Sequence, residues 1–156
     1  MPVQFEIDDS GAYAKMEGAD ERVMSRFAEL LRPIEQEMVA DARARAEAHF
    51  HSVGKKPGAY LAAFDGGVKK RPSGVVGWVK NSNPLAHLLE YGFTISDLLI
   101  NASGVMKFDA GGVGELYRRA VHRHETRVQA YPAVRPAVAA HLAEVREAAQ
   151  TAAEGG

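Results

Sequence analysis

One pair of histidines has the spacing closest to that of a catalytic or metal-binding site. His122 and His124 lie two residues apart, and Glu125 follows the second of them. Two imidazoles and a carboxylate can bind Zn²⁺ and activate a water molecule for hydrolysis. Four arginines lie between residues 118 and 127, and their positive charge disfavours a cation there. We therefore predict no metal and no cofactor, and keep a small metal-dependent hydrolase that uses these three residues as the alternative.

The other residue types that could perform catalysis do not form a catalytic pattern. His49 and His51 fall at the end of a predicted helix, where residues two apart do not share a face. Ser73 and Ser103 lack the Gly-x-Ser-x-Gly turn of a hydrolase nucleophile. The glycine-rich segment 111–114 lacks the lysine and hydroxyl residue of a phosphate loop, and the chain has no cysteine. The sequence predicts a protein that is not an enzyme.

A run of three cations, Lys69, Lys70 and Arg71, is a candidate for contact with DNA in a channel or with a protein partner. Basic side chains bind phosphates without regard to base sequence. No aromatic residues alternate with these three, so base stacking is not indicated. The alternative is a solvated hairpin tip, where lysines also discourage pairing between strand edges.

Two charged residues occupy positions that are unfavourable for an isolated charge. Glu90 lies in the apolar stretch 87–92. Arg135 lies between Pro132 and Pro136 at the predicted start of a helix, where a cation opposes the helix dipole. We predict that Glu90 and Arg135 form an ion pair, either within one subunit or between neighbouring subunits.

Apolar residues at intervals of three and four predict a long amphipathic helix over residues 19–51. Asp20 and Glu21 suit its amino terminus, because acidic side chains stabilise that end of a helix. Pro33 is expected to kink this helix or divide it in two, because proline cannot donate the backbone hydrogen bond to the carbonyl of Glu29.

Beyond this helix, the pattern favours strands and two further helices. Residues 59–64 and 75–80 are predicted to form a hairpin whose loop contains the three cations. A short helix is expected from Leu85 to Tyr91, ending at Gly92. A last helix begins in the proline-containing segment and ends at about Ala152.

The segment between these two helices is expected to contain further short elements. Residues 98–100 and 105–108 are predicted as two short strands. Residues 115–129 are predicted as either a helix or a polar strand. The 38 residues from 93 to 130 are thus the least regular part of the predicted architecture.

The composition fits a single domain of 156 residues, 46% hydrophobic and 25% charged. Residues 1–18 are expected to form an arm or strand, residues 19–152 the core, and residues 153–156 a frayed tail. The absence of cysteine fits a reducing cytoplasm. No apolar run reaches the ~18 residues of a membrane helix, and the acidic N-terminus does not resemble a signal peptide.

The formal net charge of −1 conceals a strong local asymmetry. Residues 1–50 hold eleven acidic and six basic residues, whereas residues 55–80 hold six basic residues and one acidic residue. Opposite charges of this kind suit a protein that packs against copies of itself or against a charged neighbour. A solvated helix face followed by a basic loop is the other interpretation.

Three segments, taken in their order, resemble a protein family. The first is Pro57-Gly58-Ala59-Tyr60, which follows the long helix. The second is the stretch 86–92, Ala-His-Leu-Leu-Glu-Tyr-Gly, and the third is 131–137, Tyr-Pro-Ala-Val-Arg-Pro-Ala. Over about residues 20–150, this arrangement resembles the neck or tail-completion family of long-tailed bacteriophages, which includes head–tail connectors and minor tail components.

The resemblance implies an α+β fold with a long N-terminal helix packed on a small antiparallel sheet, followed by a C-terminal helix. It implies a structural protein of the virion, synthesised in the bacterial cytoplasm and assembled as a six-fold or twelve-fold ring at the head–tail joint. Its neighbours would be a head-closure or adaptor protein and a tail terminator or tail tube protein. Double-stranded DNA would pass through the ring, and no membrane would be involved.

A third class of function also follows from the residues. A soluble accessory protein could bind DNA through the basic segment 69–71 together with residues 118–127. Such binding would depend strongly on salt, because it would rest on contacts with phosphates.

Overall fold

The computed structural model describes residues 3–8, 11–16, 21–51, 58–72, 74–84, 86–94 and 127–155. Within these ranges the chain forms six strands and four helices. In chain order they are β1 (Val3–Asp8), β2 (Gly11–Met16), α1 (Glu21–His51), α2 (Gly58–Ala62), β3 (Phe64–Arg71), β4 (Gly74–Asn81), α3 (Ala86–Tyr91), β5 (Phe93–Thr94), β6 (Arg127–Val128) and α4 (Val134–Glu154).

Four of the strands form one antiparallel sheet in the order β1-β2-β4-β3. The β3–β4 hairpin pairs Phe64 with Asn81 at one end and Arg71 with Gly74 at the other. The β1–β2 hairpin joins this sheet through β2 and β4, where Ala14 pairs with Gly77. β5 and β6 form a separate pair of two residues each.

The long helix α1 packs on one face of this sheet and along α4. Residues that recur every three or four positions of α1 are buried, among them Phe27, Leu31 and Phe50. On the sheet, Val75 and Val79 are buried and face α1, while alanines and valines of α4 complete the core. The predicted α+β fold, with a long helix on a small antiparallel sheet and a C-terminal helix, is confirmed.

Two glycines permit the close approach of α1 to the sheet. A Cβ atom on Gly77 would lie 2.9 Å from a methyl carbon of Leu31. A Cβ atom on Gly66 would overlap the carboxylate of Glu35, and it would lie 2.7 Å from a methyl carbon of Val39. It would also lie 2.8 Å from the backbone oxygen of Trp78, which cannot rotate away. The helix and the strand therefore require glycine at position 66.

Gly66→Ala is expected to lower the free energy of unfolding by about 1 to 3 kcal/mol, the usual cost of inserting a methyl group into a filled space. Urea unfolding followed by circular dichroism measures this loss. Gly58→Ala is the matched control, because no atom lies within 4 Å of the added Cβ. If the two variants were equally stable, the close packing of α1 on β3 would be contradicted.

The predicted strand over residues 59–64 is wrong. Gly58–Ala62 form the short helix α2, and the strand begins only at Phe64. A short apolar run bounded by glycine has no period that separates a helix from a strand, and its alanines and leucine favour a helix. The expected loop over residues 65–74 is also wrong, because β3 continues through Arg71.

Pro33 does not divide the first helix, since α1 runs without a break from Glu21 to His51. Packing on both sides of the proline, at Leu31 and Met38, outweighs the loss of one backbone hydrogen bond. At the other end of the chain, α4 continues through Glu154. Arg26 donates a hydrogen bond of 2.8 Å to the carbonyl of Gly155, which joins this end of α4 to α1.

Two further predictions of secondary structure are confirmed, the strand at the N-terminus and the short helix before Gly92. A strand forms at the N-terminus, and a second strand in the same segment joins it to the sheet. α3 ends at Gly92, whose φ of 73° lies in the left-handed region that glycine adopts readily. The predicted strands at residues 98–100 and 105–108 lie outside the described residues, as does most of segment 115–129. Within the described ranges, no helix has the length and apolar character to cross a membrane.

Candidate functional site

The carboxylate of Glu90 binds the start of the last helix. One oxygen, Oε1, accepts hydrogen bonds from the backbone N–H groups of Ala133, at 2.8 Å, and Val134, at 2.7 Å. Ala133 precedes α4 but has no side chain that could cap the helix. Glu90 therefore supplies from α3 the acceptor that a serine or aspartate usually supplies locally. Its negative charge also lies next to the positive end of the helix dipole, which is a stabilising arrangement.

Arg135, in the first turn of α4, also contacts Glu90. Its Nη2 donates a hydrogen bond of 3.1 Å to the backbone carbonyl of Glu90. Its Nε lies 3.9 Å from the second carboxylate oxygen of Glu90, and the guanidinium stacks over the ring of Tyr91 at 4.5 Å. The structure thus brings Glu90 and Arg135 together within one chain. We call Glu90, Tyr91, Ala133, Val134 and Arg135 the Glu90 junction.

The junction is largely closed to solvent on its carboxylate side. Only 6% of Glu90 is exposed, and its Oε2 atom is buried with no hydrogen-bond partner among the described residues. The Glu90 charge acts on a further buried group, Tyr60 of α2. Burial, and secondly the Glu90 carboxylate, raise the pKa of the Tyr60 phenol far above its ordinary value. A buried carboxylate held in this way is costly to leave without its partners.

An aromatic layer connects the junction to the end of α1. The backbone N–H of Tyr131 donates a hydrogen bond of 2.6 Å to the carbonyl of Leu89. The ring of Tyr131 stacks on His49 with centroids 3.5 Å apart. Burial lowers the pKa of His49, which favours the neutral imidazole. His49 therefore belongs to the packing between α1 and the segment before α4.

The basic run lies on β3 and is divided between the two faces of the sheet. Lys70 contacts the carboxylate of Glu21, and its Nζ lies 2.8 Å from the hydroxyl oxygen of Ser25, both on α1. Lys69 and Arg71 are exposed and lie on the opposite face, because successive residues of a strand alternate. One contact between the acidic and the basic segments is thus made within the chain. Lys69 and Arg71 are left exposed to solvent.

A buried carboxylate lies beneath β3. Glu35 on α1 is 8% exposed and packs against Gly66. Burial raises the pKa of this carboxyl group above its ordinary value, and the negative charge of Asp65 raises it further. A carboxyl group with a raised pKa in the folded state favours folding at low pH, and this advantage is lost as the pH rises through the folded pKa.

Glu35→Gln is therefore expected to increase the free energy of unfolding at pH 7, because the amide carries no charge to desolvate or repel. The gain should disappear near pH 3, where the wild-type carboxyl group is protonated in both states. Chemical denaturation at the two pH values measures the difference. The exposed variant Glu147→Gln on α4 serves as a control. A gain that is equal at both pH values would contradict the role of burial.

Among the described residues, one group of side chains on α1 and α4 could hold a divalent cation, which the sequence did not predict. Ligand atoms of Glu37, His141 and Glu144 lie within 4.8 Å of one another. The imidazole Nδ1 lies 3.1 Å from a carboxylate oxygen of Glu144, and Nε2 lies 3.9 Å from one of Asp41. The spacing of His141 and Glu144, three residues apart on a helix, was the available signal. Both glutamates are exposed, and the polar contact between the two helices runs from the imidazole of His141 to Asp41.

The residues of the alternative hydrolase, His122, His124 and Glu125, lie outside the described residues. So do Ser73, Ser103 and the glycine-rich segment 111–114, for which the sequence predicts no catalytic role. Comparisons with protein families, with curated proteins and with solved structures find no match to this chain.

Proposed function

We propose that this chain is a structural, non-enzymatic protein of a tailed bacteriophage that forms a ring at the head–tail joint. The observation that carries the proposal is the Glu90 junction. Two of the three segments that resemble the neck and tail-completion family, 86–92 and 131–137, contain this junction, although 38 residues separate them. The charged residue of each segment thereby acquires a physical reason to be present.

The junction gives a ring subunit the rigidity that such a part requires. It holds α3 and the beginning of α4 together, and α4 in turn packs along α1 and the sheet. A closed ring needs subunits of fixed shape, because an angular error at one interface is repeated at every other interface. We infer six-fold or twelve-fold symmetry, with a head-closure or adaptor protein on one side and a tail terminator or tail tube protein on the other.

The exposed cations Lys69 and Arg71 support contact with a negatively charged surface, either of a protein partner or of DNA in the channel. Lys70 is bound to α1 and is not available in the same way. Contact with DNA would be non-specific and salt-dependent.

The role at the joint is tested in a tailed phage that encodes the chain. Particles made without this gene should accumulate as DNA-filled heads and separate complete tails, as seen by electron microscopy. Wild-type protein supplied from a plasmid should restore joined, infectious particles, and a plasmid without the gene is the control. Normal yields of joined, infectious particles without the gene would contradict the proposal.

A further inference from the structure

The four-stranded sheet ends in two strands that each have one neighbour within the described residues. β1 pairs with β2, and β3 pairs with β4. Such edge strands present unpaired N–H and C=O groups that can bind a strand of another molecule. Asp65 and the three cations of β3 are exposed, whereas most of β4 is buried. The β3 edge is therefore open on the described surface.

The two edge strands run in opposite directions. All three pairings across the sheet are antiparallel, so β1 and β3 differ in direction. A rotation that repeats identical copies around an axis preserves the direction of each strand along that axis. The β3 edge of one copy would then meet the β1 edge of the next in antiparallel orientation. The new pairing has the same hydrogen-bond pattern as the rest of the sheet.

The two edges also carry opposite charges at matching intervals. β1 contains Glu6 and Asp8, and β3 contains Lys69 and Arg71. Residues two apart on a strand belong to the same face of the sheet. Each edge therefore carries two like charges at consecutive positions of one face.

The register shows that the acidic and the basic positions belong to the same face. Gln4 pairs with Lys15, Lys15 pairs with Val76, and Val76 pairs with Lys69. Directly paired residues of an antiparallel sheet share a face, so position 4 belongs to the same face as Lys69. Positions 6 and 8 lie two and four residues after position 4 and therefore belong to that face as well. When the sheet continues from one copy to the next, the acidic and the basic positions meet on the same face.

Charge also decides which edges can meet. Two β3 edges would bring cations together, and two β1 edges would bring carboxylates together, which is unfavourable for directly opposed residues. Pairing of β1 with β3 removes both repulsions. The combination disfavours a two-fold dimer and favours an interface between different patches, which is the interface that builds a ring.

We propose that β1 of one copy adds to β3 of the next, with Glu6 opposite Arg71 and Asp8 opposite Lys69. Straight continuation of the register would place Gln4 opposite Lys69, so this arrangement displaces the strands by four residues. Closing a sheet into a ring requires a stagger of this kind. The inference rests on the proposed ring and names the surface through which the ring closes.

Introduced cysteines test the contact directly, because the chain has none of its own. Under mild oxidation, the double variant Asp8→Cys with Lys69→Cys is expected to give a ladder of disulfide-linked multimers that ends at the ring size. Each single variant should stay uncross-linked, since β1 does not meet β1 and β3 does not meet β3. An equal mixture of the two single variants should give covalent dimers.

Charge reversal provides the second test, with native mass spectrometry as the readout. Lys69→Glu with Arg71→Glu is expected to reduce the ring population at least tenfold, and adding Glu6→Lys with Asp8→Lys should restore it. Arg32→Glu with Arg146→Glu changes the net charge equally at two exposed helix positions, and should leave the rings intact. Circular dichroism establishes that each variant is folded.

The outcomes separate the two proposals. Rings that survive the reversal and yield no disulfide between positions 8 and 69 would overturn the β1–β3 contact while keeping the ring. Disulfide-linked open chains that never close would support the contact and overturn the ring. Cross-links in the single-cysteine variants would show that like edges pair, which overturns the contact. Monomers without cross-links under all conditions would overturn both.

Discussion

Replacing Glu90 with alanine is expected to lower the free energy of unfolding by about 2 to 4 kcal/mol. The variant loses the acceptor for the backbone N–H groups of Ala133 and Val134, and it leaves the Arg135 guanidinium without its carboxylate. A lost helix cap costs about 1 kcal/mol, and leaving two buried backbone N–H groups without an acceptor adds about 1 to 3 kcal/mol, whereas the half-exposed Arg135 adds little. Urea unfolding followed by circular dichroism gives the number.

Two further variants identify the cause of this loss. Glu90→Gln keeps an oxygen that can accept the two backbone hydrogen bonds, and should cost roughly 1 kcal/mol. Glu147→Ala removes an exposed carboxylate of α4 and should be nearly neutral. A double-mutant cycle of Glu90 with Arg135 isolates the pair. A coupling energy indistinguishable from zero would contradict the ion pair, while the cap would stand.

Phe50→Ala is expected to lower the free energy of unfolding by about 3 to 5 kcal/mol, the usual cost of removing a buried phenylalanine ring. Phe50 is 1% exposed at the end of α1. Its ring contacts Tyr60 edge-on with centroids 5.3 Å apart, and Tyr60 in turn contacts Phe64 at 5.5 Å. Removing the ring opens a cavity beneath α2 and beside the Glu90 junction. Thermal and urea unfolding measure the loss.

Phe50→Leu is the graded comparison for this prediction, because leucine fills most of the space. Its cost should be roughly 1 kcal/mol, so the variant stays folded even where the alanine variant does not. If leucine were as destabilising as alanine, cavity formation would not explain the effect.

The long helices α1 and α4 could be predicted from the sequence because their signals are long, whereas the five residues of α2 have no helical period. Nine apolar positions repeat along α1, and glycine and proline mark the ends of α3 and the start of α4. The first strand of the β3–β4 hairpin was predicted too early in the chain, because Gly66 and Gly67 indicate a loop. Only the structure shows that α1 and the ring of Trp78 occupy the space their side chains would need.

One contact of the candidate site could be predicted from the sequence, whereas two other features of it could not. Glu90 and Arg135 were predicted to meet because each charge lies where an isolated charge is unfavourable. The cap from Glu90 to the N–H groups before α4 could not be predicted, since it depends on how two distant helices are placed. The cluster of His141 with its neighbouring carboxylates was missed for the same reason, because it spans two helices.

The proposed ring depends on two groups of charged residues, those that pair within the chain and those that are exposed at the sheet edges. Lys70 joins α1 to the sheet, and Arg135 joins α4 to α3, so both act within the chain. Lys69 and Arg71 are exposed at an edge of the sheet. The acidic strand at the other edge complements them. The charges that pair within the chain thus hold its helices and sheet together, and the charges at the sheet edges are those that we propose to contact neighbouring copies.

Native mass spectrometry of the purified protein over a range of concentrations shows whether this chain closes into the ring that we propose. We expect a closed assembly of six or twelve copies of the 16.9 kDa chain, without metal. A monomer at every concentration, or a dimer that carries one tightly bound metal ion per chain, would contradict it.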